Sequence, residues 1–306
     1  MSILVFSHPA SLRHRPPAGH PERPERFEAM MTALAGHEVA LRPAPEATDD
    51  DLRPCHPQAY LDRLARAAPA AEAIALDPDT WLSPGTLEAA RRSAGAALAA
   101  VDAVMTGQVR RALVAARPPG HHALASRPMG FCLFGNVALA ARRVIDRHGA
   151  ERVAIVDFDV HHGNGTEALV ESDPRILFCS THQWPFWPGT GEASHEGPHG
   201  TVVNVPLPAG TEGPAFRAAV AERILPRLRA HRPDLVLISA GFDAHRADPL
   251  GGLALETEDF RWITREIAAI AQDHAQGRVV SCVEGGYDLA ALRDGVGVHL
   301  AALGET

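Results

Sequence analysis

Residues 153–166, VAIVDFDVHHGNGT, read as a buried strand that empties into a reactive loop. Val153, Ala154, Ile155 and Val156 form a short apolar run with β-branched members, which fits a central strand of a parallel sheet covered on both faces. Polar residues begin where that strand should end. Side chains alternate along a strand, so continued extension would put Asp157, Asp159 and His161 on one face, two carboxylates and an imidazole together. Oxygen and nitrogen donors of that kind suit a divalent metal such as zinc. Gly163, Asn164 and Gly165 supply a turn out of the sheet, and in open α/β sheets ligands bind at the carboxyl ends of strands. A lone DxD is as readily a pair of helix-capping acids. DxDxHH is harder to reduce to capping, because such a cluster is costly to bury unless it is paired or metal-bound.

The 306 residues contain no linker or internal repeat, and the expectation is one domain, 1–306. With 46% hydrophobic and 22% charged residues, the composition is that of an ordinary globular protein. No apolar run approaches the ~18 residues of a membrane span. The N-terminal MSILVF lacks the basic flank and length of a signal peptide and reads as a first strand, so a cytoplasmic location is expected. A formal charge of −8 without a basic cluster argues against nucleic acid as a partner. All 29 basic residues are Arg, which excludes a Schiff-base or P-loop lysine. Cys55, Cys132, Cys179 and Cys282 are far apart in mainly apolar contexts and are expected to be buried free thiols.

Along the chain, strands are expected at 3–6, 111–116, 175–180, 201–205, 235–239 and 278–283, besides the one at 153–156. Helices are expected at 26–34, 62–75, 84–105, 137–148, 214–231 and 258–273, with Ser83 capping the third and Gly107 ending it. Residues 8–24 form a Pro- and His-rich loop. Residues 181–200 form a long loop with Trp184, Phe186 and Trp187, and a loop of that length in a compact domain is usually functional. Strand, polar loop and helix in repetition is the pattern of a doubly wound, mainly parallel α/β sheet flanked by helices.

Five motifs in order, RPPGHHA at 117–123, GFC at 130–132, DFDVHHGNGT at 157–166, GFDAHRADPLGG at 241–252 and EGGY at 284–287, resemble the histone deacetylase family over almost the whole chain. The resemblance is to the class II and bacterial acetylpolyamine amidohydrolase branch, since Asn164 stands where class I relatives have Asp. It implies an arginase/deacetylase-like fold, with Asp159, His161 and Asp243 as ligands of one zinc ion. Two carboxylates and one imidazole leave such a site near neutral, so water there is acidified less than by a three-histidine site, and a separate base is needed.

The family pattern pairs His121 with Asp157 and His122 with Asn164. A carboxylate favours imidazolium and an amide does not, so His122 is expected to be the neutral base and later acid, with His121 acting electrostatically. Tyr287, after two glycines, is expected to donate to the developing oxyanion; by itself a Tyr after GG is as readily a packing residue. The resemblance makes Phe131 and Trp187 the walls of a channel for a lysine-like stem, with Gly130 offering its carbonyl, Leu250 at the mouth and Asp79 at the rim. The competing reading of Trp187 is a core residue. A structural potassium ion is implied near Asp157, Asp159, His161, Ser180 and Thr181. The expected substrate is an acetylated lysine-like amine or an acetylpolyamine. A homo-oligomer stays open.

Three other readings are weaker. Arginase-like enzymes need two manganese ions, but Gly163 and His245 stand where second-metal acids would be wanted. HEGPH at 195–199 matches HExxH, yet Gly197 and Pro198 break the required helix. A catalytically dead acyl-amine binding module would not need the intact ligands, both histidines and Tyr287.

Overall fold

The computed structural model describes residues 3–305. Its strands are β1 (Ile3–Ser7), β2 (Val39–Pro43), β3 (Ile74–Ala75), β4 (Trp81–Leu82), β5 (Arg111–Val114), β6 (Val153–Asp157), β7 (Ile176–Gln183), β8 (Val202–Leu207), β9 (Leu235–Ala240) and β10 (Val279–Val283). Eight of them form one sheet in the order β2-β1-β5-β10-β9-β6-β7-β8, every neighbouring pair parallel, while β3 and β4 make a small antiparallel hairpin.

The helices are α1 (Glu25–Leu34), α2 (Asp49–Leu52), α3 (Gln58–Ala67), α4 (Thr86–Met105), α5 (Asn136–His148), α6 (Asn164–Val170), α7 (Gly213–Ala219), α8 (Leu225–His231), α9 (Thr257–His274) and α10 (Leu289–Gly304). Strand alternation divides the core in two. Val153 and Ile155 join Val114, Phe178 and Leu237 under α3, α4 and α5. Ala154 and Val156 join Leu177, Val236 and Ile238 under α1, α9 and α10. Both faces of β6 are therefore apolar, which is why it reads as a continuous hydrophobic run rather than an alternating one.

Several local expectations are corrected. The helix expected at 62–75 is α3, ending at Ala67; residues 74 and 75 belong to the hairpin instead. Ser83 does not cap α4 with its side chain: its carbonyl accepts from Thr86 N–H, and Gly85, at φ +90°, is the residue before the helix. Gly107 does follow the end of α4, with φ +77°. β7 runs to Gln183, so the aromatic loop starts three residues later than expected. The helix at 214–231 is interrupted by a π-helical turn at Val220–Ile224, just before Pro226, whose ring cannot accommodate an α-helical bond to the preceding turn. All four cysteines are free and buried. Among the described residues no helix is long and apolar enough to cross a membrane.

Candidate active site

The four motifs that carry acids, histidines and Tyr287 follow β5, β10, β9 and β6, which are four consecutive strands at the centre of the sheet. Segments up to 170 residues apart in sequence thus meet at one carboxyl edge, where loops of an open parallel sheet form sites.

Strand geometry ends at Asp157, so the shared face expected of Asp157, Asp159 and His161 does not form. The loop after β6 is folded by its own acids. Asp157 Oδ1 accepts from Asp159 N–H at 3.1 Å, Asp159 Oδ1 from His161 N–H at 2.9 Å, and Asp243 Oδ1 from Val160 N–H at 2.8 Å. Asp157 pairs with His121 and does not join the group that Asp159, His161 and Asp243 form. His161 Nδ1 lies 3.1 Å from Asp159 Oδ1 and 3.2 Å from Asp243 Oδ2, and the three donor atoms lie within 4.8 Å of one another.

Two features fit this group to a cation. Burial, reinforced by Asp159, pushes the Asp243 carboxyl up to about 7, so two carboxylates in this buried space are in conflict unless a positive charge lies between them. Glycines also leave the space open: a Cβ on Gly285 would collide with Asp243 and Asp159, and one on Gly241 with Asp159. Only residues without a side chain allow those backbones so close.

His121 and His122 stack with ring centroids 3.8 Å apart yet face different partners. His121 Nδ1 is 3.0 Å from Asp157 Oδ2, and His122 Nδ1 is 2.8 Å from Asn164 Oδ1. Burial opposes a charge on His121, but Asp159 and Asp157 together push its pKa up to about 10. Burial drives His122 well below the usual range, helped by the positive charges of His121 and His161. Asn164, expected in a turn, is the first residue of α6 and presents its side chain from there.

A pocket of about 180 Å³ opens onto this cluster, lined by Asp79, His122, Gly130, Phe131, His161, Trp187, Leu250 and Tyr287. Trp187 is 39% exposed and stands edge-on to His122 at 4.6 Å, so it is not a core residue. Phe131, at φ +68°, meets Tyr287 edge-on at 5.8 Å. A non-glycine residue in that region is strained and is held there by its surroundings. Here Thr80 Oγ1 accepts from Phe131 N–H and Asp79 Oδ1 from Gly130 N–H, at 3.0 and 3.2 Å. Gly130 itself has φ +55°, and a Cβ there would strike both His122 and Trp187. Its carbonyl accepts from Cys132 Sγ–H at 3.2 Å. Burial raises the Tyr287 hydroxyl well above its ordinary range, with Arg26 opposing.

Ser180 and Thr181 are buried, Ser180 as the register partner of Asp157. Beside Asp157 on its other side, the buried Ser239 Oγ has no protein partner. His245 points elsewhere, its Nδ1 accepting from Ala247 N–H. The histidines of HEGPH face separate partners on an irregular surface loop, His195 toward Glu171 and His199 toward the Ser172 carbonyl.

Sequence reasoning missed three buried charged residues around the site. Arg26 donates to the carbonyls of Gly286 at 2.6 Å and Glu284 at 2.5 Å, and its guanidinium lies 4.8 Å from the centre of the Tyr287 ring. Glu22 binds Arg26 at 3.0 Å and the fully buried Arg117 at 2.5 Å. Glu284 accepts from the N–H groups of Gly120 and His121. The only sequence signal for the first two was the Pro- and His-rich stretch before α1.

An eight-stranded parallel sheet flanked by helices is the architecture of the arginase/deacetylase fold. The histone deacetylase domain model matches residues 20–303, and the chain belongs to the histone deacetylase family. It is 41% identical over 286 residues to a histone deacetylase-like amidohydrolase of Pseudomonas aeruginosa, covering 90% of this chain and 75% of that protein. To human polyamine deacetylase HDAC10 it is 36% identical, over 90% of this chain and 43% of the human protein. The crystal structure of the HDA15 HD domain superposes with a TM-score of 0.92 at 33% identity, covering 99% of this chain and 91% of that one.

Proposed function

We propose that this chain is a zinc-dependent amidohydrolase that removes acetyl or related acyl groups from lysine-like amines. The observation that carries the reading is the pocket of about 180 Å³ whose lining brings Phe131 and Trp187 together with His122, His161 and Tyr287. Asp159, His161 and Asp243 would hold the zinc ion, and Asp157, Asp159, His161, Ser180 and Thr181 a structural potassium ion. Zinc when bound supplies a Lewis acid for the scissile carbonyl and makes water a stronger acid.

The rest is the work of the chain. Aromatic walls bind an aliphatic stem and exclude bulk water. His122, kept neutral by burial and by the positive charges of His121 and His161, takes the proton of the attacking water and later gives it to the leaving amine. His121 stays cationic beside Asp157 and stabilises the negative charge that develops nearby. Tyr287 donates its hydroxyl hydrogen to the carbonyl oxygen as that oxygen gains charge.

A second reading, acetylpolyamine hydrolysis, is favoured by the likeness to human polyamine deacetylase HDAC10. Leu250 weighs against it. An uncharged side chain on the pocket lining gives the distal ammonium of a polyamine no specific attraction. Comparing kcat/KM for acetyl-lysine peptides and acetylated polyamines, with Leu250→Glu alongside, tests the choice. The acetyl-lysine peptide is expected to be the better substrate, and Leu250→Glu to shift preference toward polyamines by ~10-fold, as one specificity contact does. A tenfold wild-type preference for polyamines would overturn the acetyl-lysine assignment.

A further inference from the structure

The turn that presents both histidines has a hydrogen-bonding problem written into its sequence. Pro118 and Pro119 carry no N–H, so Gly120 and His121 offer the next backbone donors after Arg117. Both donate to one oxygen of one side chain: Glu284 Oε2 accepts from Gly120 N–H at 2.6 Å and from His121 N–H at 3.2 Å. Glu284 is 1% exposed, and its other oxygen has no partner. It stands immediately after β10, the neighbour of β5, from whose end the histidine turn grows.

The same four residues, Glu284 to Tyr287, touch the rest of the chemistry. Gly285 N–H donates to Asp159 Oδ2 at 2.9 Å, Arg26 holds the carbonyls of Glu284 and Gly286, and Tyr287 enters the pocket. One short segment thus fixes Asp159 by its backbone and the histidine turn by the Glu284 side chain. Buried backbone donors left without an acceptor are costly, and catalytic groups displaced by about 1 Å lose about 10²-fold in rate.

We infer that Glu284 is a positioning residue that sets His121 and His122 in register with Tyr287 and Asp159 by accepting the two N–H bonds of the turn. What it contributes is an acceptor oxygen in a fixed place, and glutamine supplies one too. The inference rests on the deacylase reading for its kinetic consequence but not for its geometry, and the two are tested separately.

In the zinc-loaded enzyme, Glu284→Ala is expected to lower kcat on an acetyl-lysine peptide by ~10–100-fold with KM within ~3-fold of wild type, and with metal content unchanged. Glu284→Gln is expected to recover kcat to within ~5-fold of wild type and to keep the shape of its pH profile. Amide hydrogen exchange over residues 117–123 gives a readout that needs no turnover. Protection of the Gly120 and His121 amides should fall in Glu284→Ala and persist in Glu284→Gln. Equal impairment of the two variants, full activity of Glu284→Ala, or unchanged protection in Glu284→Ala would each overturn the inference. Wild-type protein that hydrolyses no acyl-amine but shows the exchange pattern would overturn the deacylase reading and leave the anchoring role standing.

Discussion

Tyr287→Phe removes one oxygen atom and little else on which the fold depends. The ring is 7% exposed, packed edge-on against Phe131 at 5.8 Å and beneath the Arg26 guanidinium at 4.8 Å, and a phenylalanine ring keeps both contacts. The residue is tied to the protein through its backbone, whose N–H donates to Asp248 Oδ2 at 2.6 Å, while the side chain faces the pocket. The substitution therefore costs little in the resting enzyme. In the transition state it removes a preorganised donor, an effect of ~10²-fold or more in kcat, about 2.7 kcal/mol. The measurement is kcat and KM for an acetyl-lysine peptide, with metal content and thermal midpoint determined on the same preparation. Expected are kcat down ~10²-fold or more, metal unchanged and a midpoint within a few degrees of wild type. A kcat within about threefold of wild type, less than half the free energy of such a donor, would remove Tyr287 from the mechanism. A loss of metal in parallel would show that the residue acts on the cluster and not on the carbonyl.

Other outcomes follow from the same geometry. Asp159→Ala, His161→Ala and Asp243→Ala are each expected to abolish both activity and tight zinc binding, as read by metal analysis after dialysis; full occupancy in Asp243→Ala would refute the ligand assignment. His122→Ala is expected to damage kcat at least as much as His121→Ala, because only His122 is held neutral, and the reverse order in matched assays would exchange their roles. His299, buried between Thr264 and Ser281, is pushed down to about 3 by burial. A depressed histidine binds its proton in the unfolded chain first, so its contribution to stability is lost as pH falls below the unfolded value near 6.5. At pH 5 the loss is about 2 kcal/mol. His299→Gln should therefore show a shallower fall in urea stability between pH 7.5 and 5 than wild type, and coincident pH dependences would contradict the burial argument.

The fold was legible wherever a strand is buried on both faces. Runs such as 153–156 and 235–238 have no polar residue to hide, and the turn or loop after each is marked by Gly, Asp or His. Elements at the margins were not legible, for physical reasons that differ from case to case. β2 is an edge strand whose residues are mostly exposed and which ends in Pro43, so it carries no burial pattern. α10 has Gly295 and Gly297 in its interior, which argue against a helix by propensity. The helix forms because Gly295 lets it close on Phe242, where a Cβ would collide, and this is packing that no local window contains. The site separates in the same way. Asp159, His161, Asp243, the two histidines and Tyr287 sit in compact motifs. Glu22, Arg26 and Glu284 support them from positions whose meaning depends on partners 95 to 260 residues away.

The opposite pKa shifts of the two adjacent histidines trace to the segment that leaves β6. β6 delivers Asp157 and Asp159 to one side of the pair, while Asn164, one helical residue beyond the same loop, meets the other ring. Two neighbouring imidazoles 3.8 Å apart do not both hold a proton charge in a buried site, because each cation disfavours the other. The carboxylates decide which one keeps it: His121, against burial, is raised by Asp159 and Asp157, and His122 is lowered by burial and then by the charge of its neighbour. Replacing Asn164 by Asp would place a negative charge on the second ring and work against its neutrality. On this reading Asn164 is as much a determinant of the base as His122 is, and Asn164→Asp should move the acid limb of the kcat/KM profile to higher pH. An unmoved limb would mean that the proton acceptor is some group other than His122.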